Sequence, residues 1–128
     1  MFAIGALPRL QKLDFSRTGF GVQGMKAFST ALNRESLPNL QTLDLSKNKF
    51  GAEGMIAFCK ALPRRPLPKL QRLNLMSNDF GEEGMTALAT ALLEGALPDL
   101  VHLDLLRNDM TEKSMDAFST HFYAIQAH

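Results

Sequence analysis

The chain has 128 residues, 45% of them apolar and 21% charged, with 14 basic against 13 acidic side chains. That length suits one domain, and the near-neutral balance argues against a general nucleic-acid binder or a disordered charged tail. The lone cysteine, Cys59, excludes an internal disulfide framework and points to a reducing, cytoplasmic setting, and no apolar run approaches the ~20 residues of a membrane-spanning helix.

Read from its start, the chain begins in the middle of a unit. Gly5-Ala6-Leu7-Pro8 matches Gly95-Ala96-Leu97-Pro98, which puts Phe2 at the place of Leu32, Leu62 and Leu92. Residues 1–6 therefore read as the tail of a truncated preceding repeat, and the chain as a piece of a longer array. Self-association through that uncapped N-terminal end is expected, since the first strand has no outer neighbour. From Leu7 the tetrapeptides Leu7-Pro8-Arg9-Leu10, Leu37-Pro38-Asn39-Leu40, Leu67-Pro68-Lys69-Leu70 and Leu97-Pro98-Asp99-Leu100 recur every 30 residues. One domain of four repeats follows: 7–36, 37–66, 67–96, and 97–128 including a C-terminal helix.

Each unit changes its apolar period halfway. Leu43 and Leu45 alternate with polar neighbours, as a short strand requires; Met55, Phe58, Ala61 and Leu62 share one face of a helix. The pattern predicts strands near 11–15, 41–45, 71–75 and 101–105, and helices near 22–32, 52–62, 82–93 and 112–123. Strands joined through helices at a fixed period give a parallel sheet. The helix layer is wider than the strand layer, so the stack curves with its sheet on the concave side. Gly21, Gly51 and Gly81 fall at cap-like helix starts. Gly24, Gly54 and Gly84 lie in the first turn, where a missing side chain lets helix and strand approach. Met25, Met55, Met85 and Met115 read as core filler.

Leu43 and Leu45, Asn48 and Phe50, then Gly51 and Gly54-Met55, form a motif that repeats in Leu73 to Met85. It resembles a leucine-rich repeat. The long period and helical second half are similar to the ribonuclease-inhibitor-like subclass, as in ribonuclease inhibitor, Ran GTPase-activating protein, tropomodulin and NOD-like receptor repeats. The resemblance implies an α/β solenoid, a short horseshoe arc, whose common use is binding. Two departures stand out: a period above the usual 20–29 residues, and Thr18 where Asn48, Asn78 and Asn108 are expected. Those asparagines are expected to form a structural ladder, satisfying buried backbone groups of their own and the adjacent turn.

No enzyme signature is present: no nucleophile elbow, phosphate loop or metalloprotease helix, and His102, His121 and His128 share no metal-ligand spacing. No cofactor is expected. Asp14, Asp44 and Asp104, with Asn74 completing their column, stack ~4.8 Å apart and could share a cation; a ladder balanced by Lys12 and Arg72 is the plainer reading. Lys60, Arg64, Arg65, Lys69 and Arg72 form a basic cluster without interleaved aromatics, read as a solvated loop or a contact for an acidic partner.

The expected function is a non-catalytic protein–protein interaction module, with no nucleic acid, no membrane and a protein partner whose identity the sequence leaves open. A regulatory part of a GTPase-activating protein, or a sensor segment of a NOD-like receptor, is the alternative. The outward strand columns run Lys12, Thr42, Arg72, His102; Asp14, Asp44, Asn74, Asp104; and Ser16, Ser46, Met76, Leu106, with Arg17, Lys47, Ser77 and Arg107 flanking. Polar residues give way to Met76 and Leu106 along the third column. The binding surface is therefore expected at Arg72, Asn74, Met76, His102, Asp104, Leu106 and Arg107.

Overall fold

The computed structural model describes residues 9–109 and 126–127. Expectations for residues 1–8, for the helix near 112–123 and for Met115 lie outside the described residues. Four three-residue strands follow the predicted spacing: β1 (Lys12–Asp14), β2 (Thr42–Asp44), β3 (Arg72–Asn74) and β4 (His102–Asp104). Between them run helices α1 (Gly21–Ala31), α2 (Gly51–Ala61) and α3 (Gly81–Leu93). The strands pair in parallel with no shift, Leu13 opposite Leu43, Leu73 and Leu103 in turn. Parallel neighbours need a crossover, and each helix supplies one. Strands spaced ~4.8 Å apart beside helices ~10 Å apart bend the stack, so the sheet lines the concave side of a solenoid arc.

A further strand, β5 (Gln126–Ala127), pairs in parallel with β4, His102 opposite Gln126. This corrects the expected C-terminal helix at those two residues. Without β5 the outer edge of β4 would leave its backbone groups unpaired, and main-chain pairing there requires no repeat motif.

The core is built from the same positions in each unit. Leu40, Leu43 and Leu45 from the strand side meet Phe50, Met55, Phe58 and Leu62, all fully buried. Each such side chain contributes roughly 1.5–3 kcal/mol. The first unit is less covered, because Leu10, Leu13, Phe15 and Phe20 are only partly buried against this core. There Phe15 stands where later units have Leu, and its ring lies 5.1 Å from Phe20 and 5.6 Å from Phe28.

The turn from strand to helix takes a form that sequence pattern did not reveal. Left-handed residues alternate along it: Lys47, Lys49 and Gly51 at φ 59°, 52° and 64°, and likewise Ser77, Asp79 and Gly81. A side chain in that region costs about 1 kcal/mol, so a specific return is required. It is found in the hydrogen bonds. Lys47 and Ser77 N–H donate to the carbonyls of Met76 and Leu106, both at 2.9 Å. Gly51 and Gly81 N–H donate to those of Asn78 and Asn108 at 2.9 and 2.8 Å. The twisted turn keeps backbone donors aimed along the array well past the short strand. Gly51 and Gly81 are thus needed for their positive φ at the helix start, rather than as caps.

The second glycine column also differs from expectation. A Cβ on Gly84 would stand 2.5 Å from Phe80 Cβ, on Gly54 2.6 Å from Phe50 Cβ, and on Gly24 3.1 Å from Phe20 Cβ. The close neighbour is the phenylalanine entering the same helix, not the strand. Gly84→Ala should therefore destabilise by about 1–3 kcal/mol through overpacking, and Gly24→Ala by clearly less. Urea melts of the two variants check this; equal losses would contradict it.

Candidate functional site

The asparagine column forms a continuous polar spine. Asn78 Oδ1 accepts from Asn48 N–H at 2.8 Å, and Asn108 Oδ1 accepts from Asn78 N–H at 2.8 Å. Each Nδ2 group reaches two repeats. Asn78 Nδ2 donates to Leu75 O of its own turn at 3.0 Å and to Leu45 O of the preceding one at 2.9 Å. Asn48 and Asn108 repeat this geometry. All three are buried. Thr18 closes the series: its hydroxyl donates to Phe15 O at 2.8 Å, while its N–H donates to Asn48 Oδ1 at 3.0 Å. The shorter side chain satisfies its own turn and has no reach to a preceding one. The spine holds the strands rigidly, and that fixes the surface in front of it.

On the sheet face, β2, β3 and β4 border a shallow groove of about 450 Å³ lined by Thr42, Asp44, Arg72, Asn74, His102 and Asp104. Zero-shift pairing sets Arg72 beside Thr42 and His102, and Asn74 beside Asp44 and Asp104. The acidic column has a local task as well. Asp14, Asp44, Asn74 and Asp104 each accept, through Oδ1, the N–H two residues on, at 2.8, 2.9, 3.0 and 3.1 Å. These side chains cap the turn that leaves the strand. The balancing partners expected from Lys12 and Arg72 are replaced by backbone donors. Hydrogen bonds from Ser16, side chain first, hold the Asp14 carboxyl below its ordinary range. The Asp-x-Ser spacing of Asp14–Ser16 and Asp44–Ser46 was the available sequence signal. Among the described residues no three metal-ligating side chains cluster.

The third column is uneven. Ser46 is buried, its hydroxyl donating to Asp44 Oδ1 at 2.6 Å, so it is not displayed as expected. Met76 is half-buried and Leu106 is 48% exposed. Ser77 N–H bonds to Leu106 O at 2.9 Å, which locks the two turns side by side. Arg107 is exposed beside them. Donors, acceptors and an apolar end thus share one rigid surface, the make-up of a recognition face. At its rim Asp79 and Asp109 meet. A hydrogen bond that the protonated Asp109 carboxyl donates to Asp79, then charge repulsion, raises Asp109 above its ordinary range.

The basic cluster of the sequence separates in space. Arg72 belongs to the sheet groove. Arg64 Nη1 donates to Leu32 O at 3.1 Å, Arg65 Nη1 to Gly95 O at 3.2 Å, and Lys69 Nζ to Asn39 Oδ1 at 2.9 Å, so each ties one repeat to the next. Cys59 is buried, and desolvation pushes its thiol up to about 12, which makes it inert at neutral pH.

The Leucine Rich repeat family model matches residues 36–59 and 67–89, so the chain carries leucine-rich repeats in its second and third units. Among solved structures it is similar to "Leiomodin-1 Actin-Binding Site 2 (ABS2)", at 17% identity and a TM-score of 0.75, over 96% of this chain and 73% of that one. That likeness concerns the fold. No curated protein sequence matches the chain. No helix among the described residues is long and apolar enough to cross a membrane.

Proposed function

We propose that this leucine-rich-repeat arc is a non-catalytic protein-binding module that recognises its partner through the sheet face. The contact is centred on Arg72, Asn74, Met76, His102, Asp104, Leu106 and Arg107. The observation that carries this reading is the zero-shift register of β3 and β4, which sets polar groups of both signs around an exposed Leu106. Such a surface is held in its binding geometry before the partner arrives, so little ordering cost remains. The 30-residue unit with a full helix supports the ribonuclease-inhibitor-like subclass, and the lone buried Cys59 supports a cytoplasmic setting. The GTPase-activating and receptor-sensor readings rest on resemblance alone.

The solved neighbour is named as an actin-binding site, which makes actin the first candidate partner. Titration of monomeric actin into the chain by calorimetry tests it. Saturable binding that is lost in a sheet-face variant is the expected result. Binding that survives such a variant would overturn the assigned surface, and no binding at high micromolar actin would remove actin as the partner.

A second reading concerns the other end. Leu10, Leu13, Phe15 and Phe20 are half-buried at β1, and among the described residues no strand pairs on its outer side. This supports self-association through that end. Sedimentation velocity should show a concentration-dependent dimer or larger species; a clean monomer at high concentration would contradict it.

A further inference from the structure

We infer that the groove between α1 and α2, on the helix side of the arc, is a second binding surface that takes an acidic peptide segment of a partner protein. The groove encloses about 490 Å³ and is lined by Lys26 and Thr30 from α1, Glu53, Ile56 and Lys60 from α2, and Arg64 beyond it. At Arg64 it runs into a second depression bordered by Arg34, Glu35 and Arg65. Five cations and two carboxylates line the connected path. Lys26 and Glu53 stand 3.9 Å apart at one end, and both are well exposed.

The array supplies its own comparison. The α2–α3 gap is stacked by the same 30-residue offset, yet Thr90 and Glu94 stand at the places of Lys60 and Arg64. Stacking is therefore satisfied without these cations, and their presence in one gap needs another reason. Part of that reason is local: Arg64 Nη1 donates to Leu32 O and, at 3.4 Å, to Ser29 O, at the helix C-terminus where a cation is favoured. That employs one nitrogen of the guanidinium. The rest of its fork forms no hydrogen bond among the described residues, and Lys60 forms none. Ser29, which also lines the groove, holds a buried hydroxyl with no partner among the described residues. A buried unsatisfied group is uncommon in a seam that serves packing alone.

The spacing selects the ligand. Lys60 lies in the last turn of α2 and Arg64 in the 3-10 turn (Leu62–Arg64) that follows, an axial rise of roughly 6–8 Å between them. Alternate side chains on an extended peptide lie ~6.7 Å apart. Acidic residues at every second position of an extended segment would meet Lys60 and Arg64 in turn, and the next would reach Arg34. A fork of planar donors suits a carboxylate.

Fluorescence anisotropy with the full chain tests this, using a labelled peptide with three glutamates at alternating positions among serines. Expected are saturable binding that weakens as salt rises, and no binding of the matching peptide with glutamines. Lys60→Glu with Arg34→Glu should weaken binding at least tenfold with an unchanged melting temperature; Arg64 is left in place because it caps α1. Thr90→Lys with Glu94→Arg should build a second copy of the site, raising the stoichiometry from one peptide to two. Met76→Asp with Leu106→Asp should leave this binding unchanged, which separates it from the sheet face. Equal binding of the glutamine peptide, or no loss in the charge-reversed variant, would overturn the proposal. So would binding of inorganic phosphate or anionic vesicles where the glutamate peptide does not bind.

Discussion

Asn78→Asp should destabilise the protein more than Asn78→Ala, although aspartate is the closer match in shape. Asn78 sits in the middle of the polar spine and is fully buried. Alanine would strand the Asn48 N–H, otherwise bonded at 2.8 Å. It would also remove one of the two amide donors from each of the carbonyls of Leu45 and Leu75, which keep Asn48 Nδ2 and Asn108 Nδ2. A buried donor left unsatisfied costs about 1–3 kcal/mol, so a loss in that range is expected. Aspartate would keep the acceptor for Asn48 but turn a second oxygen toward those carbonyls, with Met76 O adding a third at 3.3 Å. An uncompensated buried charge costs about 3–5 kcal/mol. That is a large part of the ~5–15 kcal/mol that holds a domain of this size.

The pH dependence gives a second check. Burial and the facing carbonyls raise the folded-state pKa of the introduced carboxyl above its unfolded value of ~3.9. The variant is then best placed below that unfolded value, where the protonated group donates one bond, and loses stability as pH rises through the folded value. Asn78→Ala has no such slope from this position. Urea melts of both variants between pH 3.5 and 7 read the difference. Wild-type stability of Asn78→Asp at pH 7 would show that the spine does not hold the array.

Much of this fold is visible in the sequence because the repeat states it four times. Leu43 and Leu45 mark a strand, Met55 and Phe58 a helix, and the 30-residue offset pairs Leu13 with Leu43 directly. What stayed hidden is the turn between them. Nothing in Lys47, Lys49, Ser77 or Asp79 signals a left-handed backbone, since residues other than glycine adopt it only when surrounding hydrogen bonds return the cost. The spacing put Asn48, Asn78 and Asn108 in one column, but the direction of the bonding, each amide reaching back to the preceding repeat, depends on that turn. The Gly84 column was legible as a close approach and misassigned as to its neighbour. Phe80 lies four residues earlier on the same turn, and helical spacing alone could have named it. On the sheet face, register placed Arg72, His102 and Asp104 together. It could not show that Asp44 turns inward to cap its own loop and draws Ser46 out of sight. The basic run failed most as a unit: adjacency in sequence joined Arg72 to Arg64, and the crossover puts them on different faces.

Replacing Met76 and Leu106 together by Asp should abolish partner binding and leave the fold intact. Leu106 is 48% exposed and Met76 half-buried, so their apolar surface is held by β3 and β4 without being needed inside the core. An apolar centre ringed by Arg72, His102, Asp104 and Arg107 is where binding energy concentrates, and truncation at such a centre costs about 2–4 kcal/mol, a loss of roughly 30- to 1,000-fold in affinity. Charge there adds the desolvation of two carboxylates. The matched pair, Ser16→Asp with Ser46→Asp, touches the N-terminal half of the same column. Because Ser46 is buried, that pair should lower the melting temperature while weakening binding much less. Calorimetric titration and thermal melts of both pairs distinguish the cases. Unfolding of the Met76/Leu106 pair would mean that these side chains are core, and unchanged binding by it would place the contact elsewhere.

Hydrogen–deuterium exchange of the full chain, free and bound to the partner that the wild type binds and the Met76/Leu106 variant does not, tests the sheet-face assignment most directly. New protection is expected only in the turns after β3 and β4, covering Met76, Ser77, Leu106 and Arg107, with the backbone of α1–α3 unchanged. Protection that falls on the helices and leaves those turns unchanged would contradict it.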